Sequence, residues 1–597
     1  MNPPTSIDHI QALRAAMAAR SIDACIVLTS DPHLSEYLPE HWQGRKWLSG
    51  FGGSAGTLVV TASLAGLWTD SRYWEQADAS LEGSGIQVMR SGAPDIAEPI
   101  AWLAEQLPRG ACVSVDGQVL ALRSQQQWLR DLTAHGITLS CDADVLGDVW
   151  ADRPALPHEP VYEHLPPFAC RSRAENLAAV REQMKEYRAT WHLISTLDDI
   201  AWVLNLRGND VPHNPVFLAH LLIGLDTVRL FVAADKVDAA LAERLALDGV
   251  SIEPYDGVAG ALSSLSEKET LLLDPARVTF GTVAAAAYVG KTEGVNPSHL
   301  FKSRKNAAEA DHVRATMEQD GAALCEFFAW FESALGSQRI TEITVDEKIT
   351  EARSRRPHFV TTSFGTIAAF NANGAMPHYS ATPQSHAVIE GDGLLLIDSG
   401  GQYLGGTTDI TRVVPVGRPS AAQRQDYTAV LKGMIALSCA VFPKGTSSAV
   451  LDTLARTPIW QTGADYGHGT GHGVGYFLNV HEGPQSISHR ARPSPHLAML
   501  PGMITSNEPG LYRPGKWGIR IENLVLAVAA QHTEFGEFLK FETLTLCPID
   551  TRCIETQLLS THERAWLNTY HEEVRRRLSP LLQGTALDWL HKRTEPV

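Results

Sequence analysis

Nowhere in its 597 residues does this chain gather an apolar run long enough to cross a bilayer, so no membrane-spanning helix is expected. Positive charge is also scarce: 50 Lys and Arg stand against 67 Asp and Glu, a formal net charge of −17. Nucleic acid and anionic membrane both call for a basic footprint, so neither is expected as the main partner. Cysteine is sparse and scattered, at Cys25, Cys112, Cys141, Cys170, Cys325, Cys439, Cys547 and Cys553, with no CxxC pair. Such cysteines are expected to be reduced and mostly buried. The opening MNPPTSIDHIQALRAAMAARSID lacks a basic start, an unbroken apolar stretch and a small-residue cleavage site. An unexported, cytoplasmic protein is the expectation.

The length calls for several domains, and two proline-marked joints divide the chain. In DRPALPHEPVYEHLPPF, residues Pro154, Pro157, Pro160, Pro166 and Pro167 exclude a regular helix or central strand. A second joint lies near VNPSHLFKSRKN. The domains expected are 1–153, 154–301 and 302–597, the last ending in an extension from about Phe541. The first two share an order of helix, strand, tryptophan-bearing segment, glycine-rich bend and paired apolar runs, with Trp47-Leu48 answering Trp202-Val203, which suggests a duplication. IDHIQALRAAMAAR and AENLAAVREQMKEYRAT read as helices, and ACIVLT, GTLVVT, IAWVLNLRG, AHLLIGL and TVRLFVAAD as strands, giving a mixed α/β (α+β) class. THERAWLNTYHEEVRRRLSPLL reads as an amphipathic helix.

Chemistry concentrates in the last third. Asp398 in LLLIDSG, Asp409 in TTDITR, His472 in GHGTGHGVG, Glu508 in SNEPG and Glu522 in IRIEN sit in short glycine- and hydroxyl-rich words. Buried together, the four carboxylates would repel one another and resist desolvation. Two divalent cations would balance their charge, so a two-metal hydrolytic centre is the first reading. GDGLLLIDSGGQYLGGTTDITRVVPVG reads as two strands joined through glycine turns, a hairpin that brings Asp398 toward Asp409, with Ser399, Thr407, Thr408 and Thr411 available to orient them. His468 and His472 stand four apart, yet the surrounding glycines disfavour a helix. An extended, closely approached backbone follows, with one histidine on metal and the other toward substrate. His481 in NVHEGP is within reach of the same pocket. In GIRIENLVLAV, period-two alternation puts Arg520 on the side of Glu522, as its partner or as a substrate contact.

The five words in order resemble the ligand pattern of the pita-bread metallopeptidases, which include methionine aminopeptidase, prolidase and aminopeptidase P. With PHYSATP around His378, DYGHGTGHGVG, LNVHEGP, WLSGFGGSAGT and LWTDSRYW, nearly the whole chain resembles the long, three-domain cytosolic aminopeptidase P. The resemblance implies two creatinase-like N-terminal domains, a pita-bread catalytic domain, a homodimer, and peptide substrates with proline second. It implies that Asp398 chelates one metal, that His472 and Glu508 belong mainly to the other, and that Asp409 and Glu522 bridge the two. His378, His468 and His481 match substrate-facing histidines of the family, Arg520 matches its arginine beside the last ligand, and Glu36 in DPHLSEY resembles an acid directed at the peptide amine. Two positions depart from the pattern: Asn507 stands where many relatives carry aspartate, and Gly53 where many carry an acid.

The implied mechanism is attack of a hydroxide, activated by both metals, on the carbonyl before proline, with Glu508 as general base. The histidines stabilise the oxyanion or hold the substrate, and one passes a proton to the leaving nitrogen. Oxygen-rich coordination with one imidazole suits Mn2+ and tolerates Co2+ or Zn2+. Two alternatives stand beside this reading: a prolidase restricted to Xaa-Pro dipeptides, and a non-catalytic pita-bread binding module.

Overall fold

Two stretches of the N-terminal half fold to one topology. In the computed structural model, which describes residues 5–597, strands β1 (Ala24–Leu28), β2 (Thr57–Thr61), β3 (Ala65–Thr69), β4 (Gln87–Arg90), β5 (Cys112–Val115) and β6 (Thr138–Ser140) form a sheet of order β4-β3-β2-β1-β5-β6. Strands β7 (Trp191–Ile194), β8 (His220–Gly224), β9 (Val228–Phe231), β10 (Val250–Glu253), β11 (Thr270–Leu273) and β12 (Gly290–Glu293) repeat that order as β10-β9-β8-β7-β11-β12. The pairing senses agree throughout: the first strand is antiparallel to the second and parallel to the fifth in both sheets. Both repeats lie in one compact unit, residues up to Leu165 with Arg171–Ser298; the other unit is Pro166–Cys170 with His299–Val597.

Helix α1 (Ser6–Ala19) starts in a capping box in which Thr5 and Asp8 satisfy each other's backbone amides. The short α2 (Gly44–Ser49) carries Trp47, and α3 (Leu122–Ala134) follows β5. The segment IAWVLNLRG departs from expectation. It is mostly helix, α4 (Leu197–Leu204), with only Leu206–Arg207 extended. All eight helical residues are buried, so no polar face interrupts the apolar run and its period is invisible in sequence. Asp198 and Asp199 in the first turn and a left-handed Asn205 at the end supply the helix signals. Trp202 on α4 thus matches Trp47 on α2, each on the helix after the first strand of its sheet.

In the second unit, α5 (Ala307–Ala334) and α6 (Glu342–Ser354) precede a sheet of strands β13 (Ile367–Phe370), β14 (Gly393–Ser399) and β15 (Ile410–Val416), in that order. Helices α7 (Ala421–Ser438) and α8 (Ser448–Trp460) accompany a six-stranded sheet. Its strands are β16 (Val441–Pro443), β17 (Gly471–Gly473), β18 (Glu482–Ile487), β19 (Ile504–Asn507), β22 (Asn523–Thr533) and β23 (Gly536–Thr543), in the order β16-β23-β22-β19-β17-β18. A hairpin of β20 (Gly510–Arg513) and β21 (Trp517–Arg520) stands apart from it. The C-terminal α9 (Thr561–Leu578) is amphipathic as expected and buries Leu567, Tyr570, Val574 and Leu578. These join Leu394–Ile397 of β14 in one apolar core, each large apolar side chain contributing about 1.5–3 kcal/mol.

Three further expectations change. GIRIENLVLAV is two strands, because the chain crosses between the hairpin and the six-stranded sheet at Ile521-Glu522, where the Glu522 amide donates to the Thr411 carbonyl at 3.2 Å. Between β14 and β15 the chain adds two short strands, Gly401–Tyr403 and Gly406–Thr407, which pair outside that sheet. The cysteines are free, but only Cys25, Cys325, Cys547 and Cys553 are fully buried. Among the described residues no helix is long and apolar enough to cross a membrane.

Candidate functional site

Asp398 is the last residue but one of β14, a strand buried along all seven residues, as its continuous Leu-Leu-Leu-Ile run requires. Across the ladder it faces Thr411 of β15, and Asp409 immediately precedes that strand. The chain leaves β14 at Gly400, where a side-chain Cβ would lie 2.0 Å from the Thr408 carbonyl oxygen. Only glycine allows that approach.

His472 occupies the middle of β17, and no helix forms around it. Gly471 and Gly473 bring β17 against its neighbours: a Cβ on either would meet the Ser506 or Glu482 carbonyl oxygen at 2.0 or 2.1 Å. The imidazole Nδ1 donates to the Gly473 carbonyl at 2.9 Å. Its lone pair on Nε2 then faces Asp409 Oδ2 at 3.5 Å and Glu508 Oε1 at 3.4 Å. A lone pair among carboxylate oxygens calls for a cation between them.

Glu508 follows β19 at the turn into β20, and its amide donates to the Thr470 carbonyl at 2.8 Å. The Ser506 hydroxyl donates to its Oε1 at 3.1 Å. Glu522 Oε2 accepts a 2.7 Å bond from the Thr411 hydroxyl, which in turn accepts from Arg520 Nε at 3.1 Å. Arg520 also donates to Asp398 Oδ2 and, at 2.7 Å, to the Tyr512 phenol oxygen. One guanidinium therefore ties the strand bearing Asp398 to the hairpin and to the Thr411–Glu522 pair.

Charge is crowded here. Burial, then the charges of Asp398 and Glu508, push Asp409 well above the usual carboxylate range. Burial and the charge of Asp409 do the same to Glu522. Glu508 is raised to about 7, by burial and by Asp398 against the opposing pull of Arg520. Asp398 Oδ1 is buried with no hydrogen-bond partner. Donor atoms of Asp409, His472 and Glu522 lie within 4.8 Å of one another, close enough for one ion to touch all three. Orphaned acceptor, clustered carboxylates and aimed imidazole together fit divalent metal.

The remaining histidines are placed differently from one another. The His481 ring meets that of His472 edge-on, with centroids 4.2 Å apart. Its neighbour Glu482 is anchored by Lys305 at 2.6 Å and Lys302 at 3.2 Å, all three deeply buried. In His468, Nδ1 donates to the Gly469 carbonyl at 2.7 Å, so Nε2 accepts from the Tyr512 hydroxyl, also at 2.7 Å. His378 lies half-buried in the turn after the short 3-10 helix Asn371–Ala375. Within that helix Gly374 presses on Gly518 of β21, two residues before Arg520. Glu36 belongs to the N-terminal unit.

Two residues escaped sequence reasoning. Tyr512 joins Arg520 to His468, and the alternation of the β20–β21 hairpin was the available signal, since Tyr512 pairs with Gly518 two residues before Arg520. Glu342 at the start of α6 accepts bonds from Phe370 N, Asn373 Nδ2, Tyr379 Oη and Ala387 N, and so pins the loop that carries His378. A glutamate at a helix start looks like an ordinary dipole residue, and nothing local betrays this role. The departures also acquire reasons. The Asn507 amide donates to the Met434 carbonyl at 2.8 Å and to Ser438 Oγ at 3.0 Å, which an aspartate could not do. A side chain at Gly53 would collide with the Phe51 ring.

Metallopeptidase family M24 matches residues 311–529, the creatinase/prolidase N-terminal domain matches 9–139 and again 152–309, and the C-terminal region of peptidase M24 matches 537–597. Aminopeptidase P2 of Arabidopsis thaliana is 39% identical over 618 residues, covering 96% of this chain and 86% of the relative. The chain belongs to the M24 metallopeptidases, in the Xaa-Pro aminopeptidase family. A probable Xaa-Pro aminopeptidase P of Talaromyces marneffei is 38% identical, with 99% of this chain and 92% of the relative aligned. Among solved structures, the X-prolyl aminopeptidase of Caenorhabditis elegans, described as a cytosolic enzyme with a di-nuclear active site, is 32% identical. It covers 100% of both chains with a TM-score of 0.94. The family membership accounts for the creatinase-like pair and the pita-bread catalytic fold.

Proposed function

We propose that this protein is a metal-dependent aminopeptidase that releases the N-terminal residue from peptides with proline in second place. The observation that carries it is the clustering of Asp398, Asp409, His472, Glu508 and Glu522, in a chain whose relatives over nearly its full length are Xaa-Pro aminopeptidases. Asp398 would chelate one ion, His472 and Glu508 would belong mainly to the other, and Asp409 and Glu522 would bridge them. Two divalent ions supply, when bound, the countercharge that keeps four carboxylates ionised and the Lewis acidity that makes water a nucleophile near neutral pH. The oxygen-rich donor set with one imidazole favours Mn2+, with Zn2+ and Co2+ as substitutes.

Glu508 takes the proton of the attacking water, its Oε1 oriented by Ser506. His378 and His481 hold the scissile carbonyl oxygen and pass a proton to the proline nitrogen. His468, with both ring nitrogens engaged, holds Tyr512 and through it Arg520 at the substrate end of the pocket. Glu36 is assigned to the substrate amine. The domains are taken as 1–153, 154–301 and 302–597, and the assembled form as a homodimer, for which the family resemblance is the support. A cytoplasmic location is supported by the free cysteines and by the cytosolic relative.

The test is a length series of Arg-Pro peptides given to metal-stripped protein restored with single metals. Free arginine is expected from Arg-Pro-Pro and longer peptides, with little from Arg-Ala-Pro. Cleavage of the dipeptide alone would establish a prolidase. Absence of metal binding, with Glu508→Ala indistinguishable from the parent protein, would establish a binding module.

A further inference from the structure

The first repeat contains a crevice whose polar lining differs from the matching place in its duplicate. In its sheet the chain proceeds from β1 outward to β2, β3 and β4 on one side, then returns to place β5 and β6 on the other. The helices that follow β1 and β5 cover opposite faces. Leu48 of α2 packs with Cys25, Val27 and Leu58, whereas Leu132 of α3 packs with Ile26, Val113 and Val115. The carboxyl ends of the parallel pair β1 and β5 are therefore a topological switch point, where connecting loops part and leave room for a ligand. A cavity of about 40 Å³ opens there, lined by Leu28, Ser30, Trp42, Ser114, Asp116 and Val119 among others.

Its polar groups are incompletely used. Ser114 is 0% exposed and its hydroxyl has no hydrogen-bond partner. The Trp42 indole N–H is likewise buried and unpartnered. Buried groups left in this state cost about 1–3 kcal/mol each unless something meets them. Arg153 is already committed, donating to Asp144 at 2.7 Å and to the His41 carbonyl at 2.8 Å, with its guanidinium over the Trp42 ring. Asp116 gives Oδ1 to the Gln118 amide at 2.8 Å and has no cation in the salt bridges of the described residues. Burial raises it above the usual carboxylate range, with Asp144 adding to the effect and the Gln118 amide and the charge of Arg153 opposing it.

The second repeat shows how the matching place looks when its polar groups are satisfied within the chain. Strand register maps Ser114, opposite Cys25, onto Leu272, opposite His192, a buried apolar residue. Asp116, just after β5, maps onto Asp274, just after β11. There Asn296 joins three groups: its backbone N–H donates to Asp274, and its side chain donates to Thr196 and Asp199 at 3.3 and 3.1 Å. The residue at the matching place in the first repeat, four beyond Ser140 of the register pair, is Asp144, which is drawn instead to Arg153 and the Gly147 amide. The first repeat thus has a polar strand residue where its duplicate has leucine, and an aspartate turned to Arg153 where its duplicate has an asparagine bonded to Asp274, Thr196 and Asp199.

We propose that this crevice binds the zwitterionic head of a small free α-amino acid, its ammonium on Asp116 and its carboxylate on the Trp42 indole N–H and the Ser114 hydroxyl. One carboxylate acceptor without a salt-bridge partner and two unpartnered donors ask for a ligand that carries both signs within a few atoms. The size of the cavity, room for a few waters, limits the enclosed part to such a head with any side chain at the mouth. Binding here is separate from turnover and stands or falls independently of the peptidase reading.

The experiment is calorimetric titration of the full-length, metal-loaded protein with glycine, and in parallel with methylammonium and with acetate. Saturable glycine binding is expected, with both half-probes at least about tenfold weaker, because each satisfies one end only. Asp116→Asn and Trp42→Phe are each expected to weaken glycine by about tenfold or more with the melting temperature unchanged; the second variant keeps the ring under Arg153 and removes only the N–H. No saturable glycine binding, binding equal in both variants, or methylammonium as tight as glycine would overturn the proposal.

Discussion

The phenol of Tyr379 donates a 2.8 Å hydrogen bond to Glu342, a carboxylate with no exposed surface that lies 37 residues earlier in the chain. The same carboxylate accepts from Phe370 N at 2.7 Å, Asn373 Nδ2 at 2.9 Å and Ala387 N at 2.7 Å. It thereby closes both ends of the loop in which His378 precedes Tyr379.

Glu342→Gln replaces one acceptor oxygen with an NH2 group facing donors. The expected result is a fall in kcat of about 10–100-fold, the range for residues that orient a site without touching it. Metal content should be unchanged, and KM should shift less than kcat. Steady-state kinetics with parallel metal analysis checks this. A loss of metal in step with activity would contradict the assignment to His378.

Arg520→Lys keeps the charge but cannot reach Asp398, Thr411 and Tyr512 together. Metal affinity is expected to drop by about 10–100-fold, read by competition with a chromogenic chelator. An unchanged affinity would assign Arg520 to substrate alone.

Gly471→Ala places a Cβ against the Ser506 carbonyl oxygen, and both strands are held by their ladders. The cost is expected at about 1–3 kcal/mol of stability, seen by denaturant titration. His472 is displaced with its strand, so metal affinity should fall as well, although no ligand is altered.

The pH dependence of stability has a component outside the metal centre. Burial, then Arg412, lowers His571 from 6.5 to about 4, and its Nε2 accepts from the Ile549 amide at 3.1 Å. A folded pKa below the unfolded one means that the unfolded chain takes up the proton first as pH falls. The contribution is therefore whole above about pH 6.5 and is lost between about 6.5 and 4, up to about 3 kcal/mol. Denaturant titrations at pH 7.5, 5.5 and 4.5 are expected to show His571→Gln falling less steeply than the parent protein, at a cost in stability near pH 7.5. Parallel slopes would exclude His571 as a source.

Much of the candidate site was legible because its residues sit in short words whose glycines have local causes. Gly400, Gly471 and Gly473 mark close backbone approaches, and a chain that places acids and a histidine at such approaches announces a tight pocket. The helix α4 was not legible as one, since burial on every side removes the polar face by which a helix is recognised. Nor was the break at Ile521-Glu522, which depends on two sheets competing for one segment.

By itself the sequence determined the duplicated N-terminal pattern, the identity and order of the five candidate ligands, and the charge deficit that calls for metal, since all three depend on residue type and spacing. Tertiary structure alone decided which nitrogen of His472 faces the carboxylates, that Arg520 meets Asp398 across the pocket, and that Glu342 governs the loop of His378. Those relations join residues as far as 122 positions apart. Their energies depend on distance and burial in the folded chain, to which local propensity is blind.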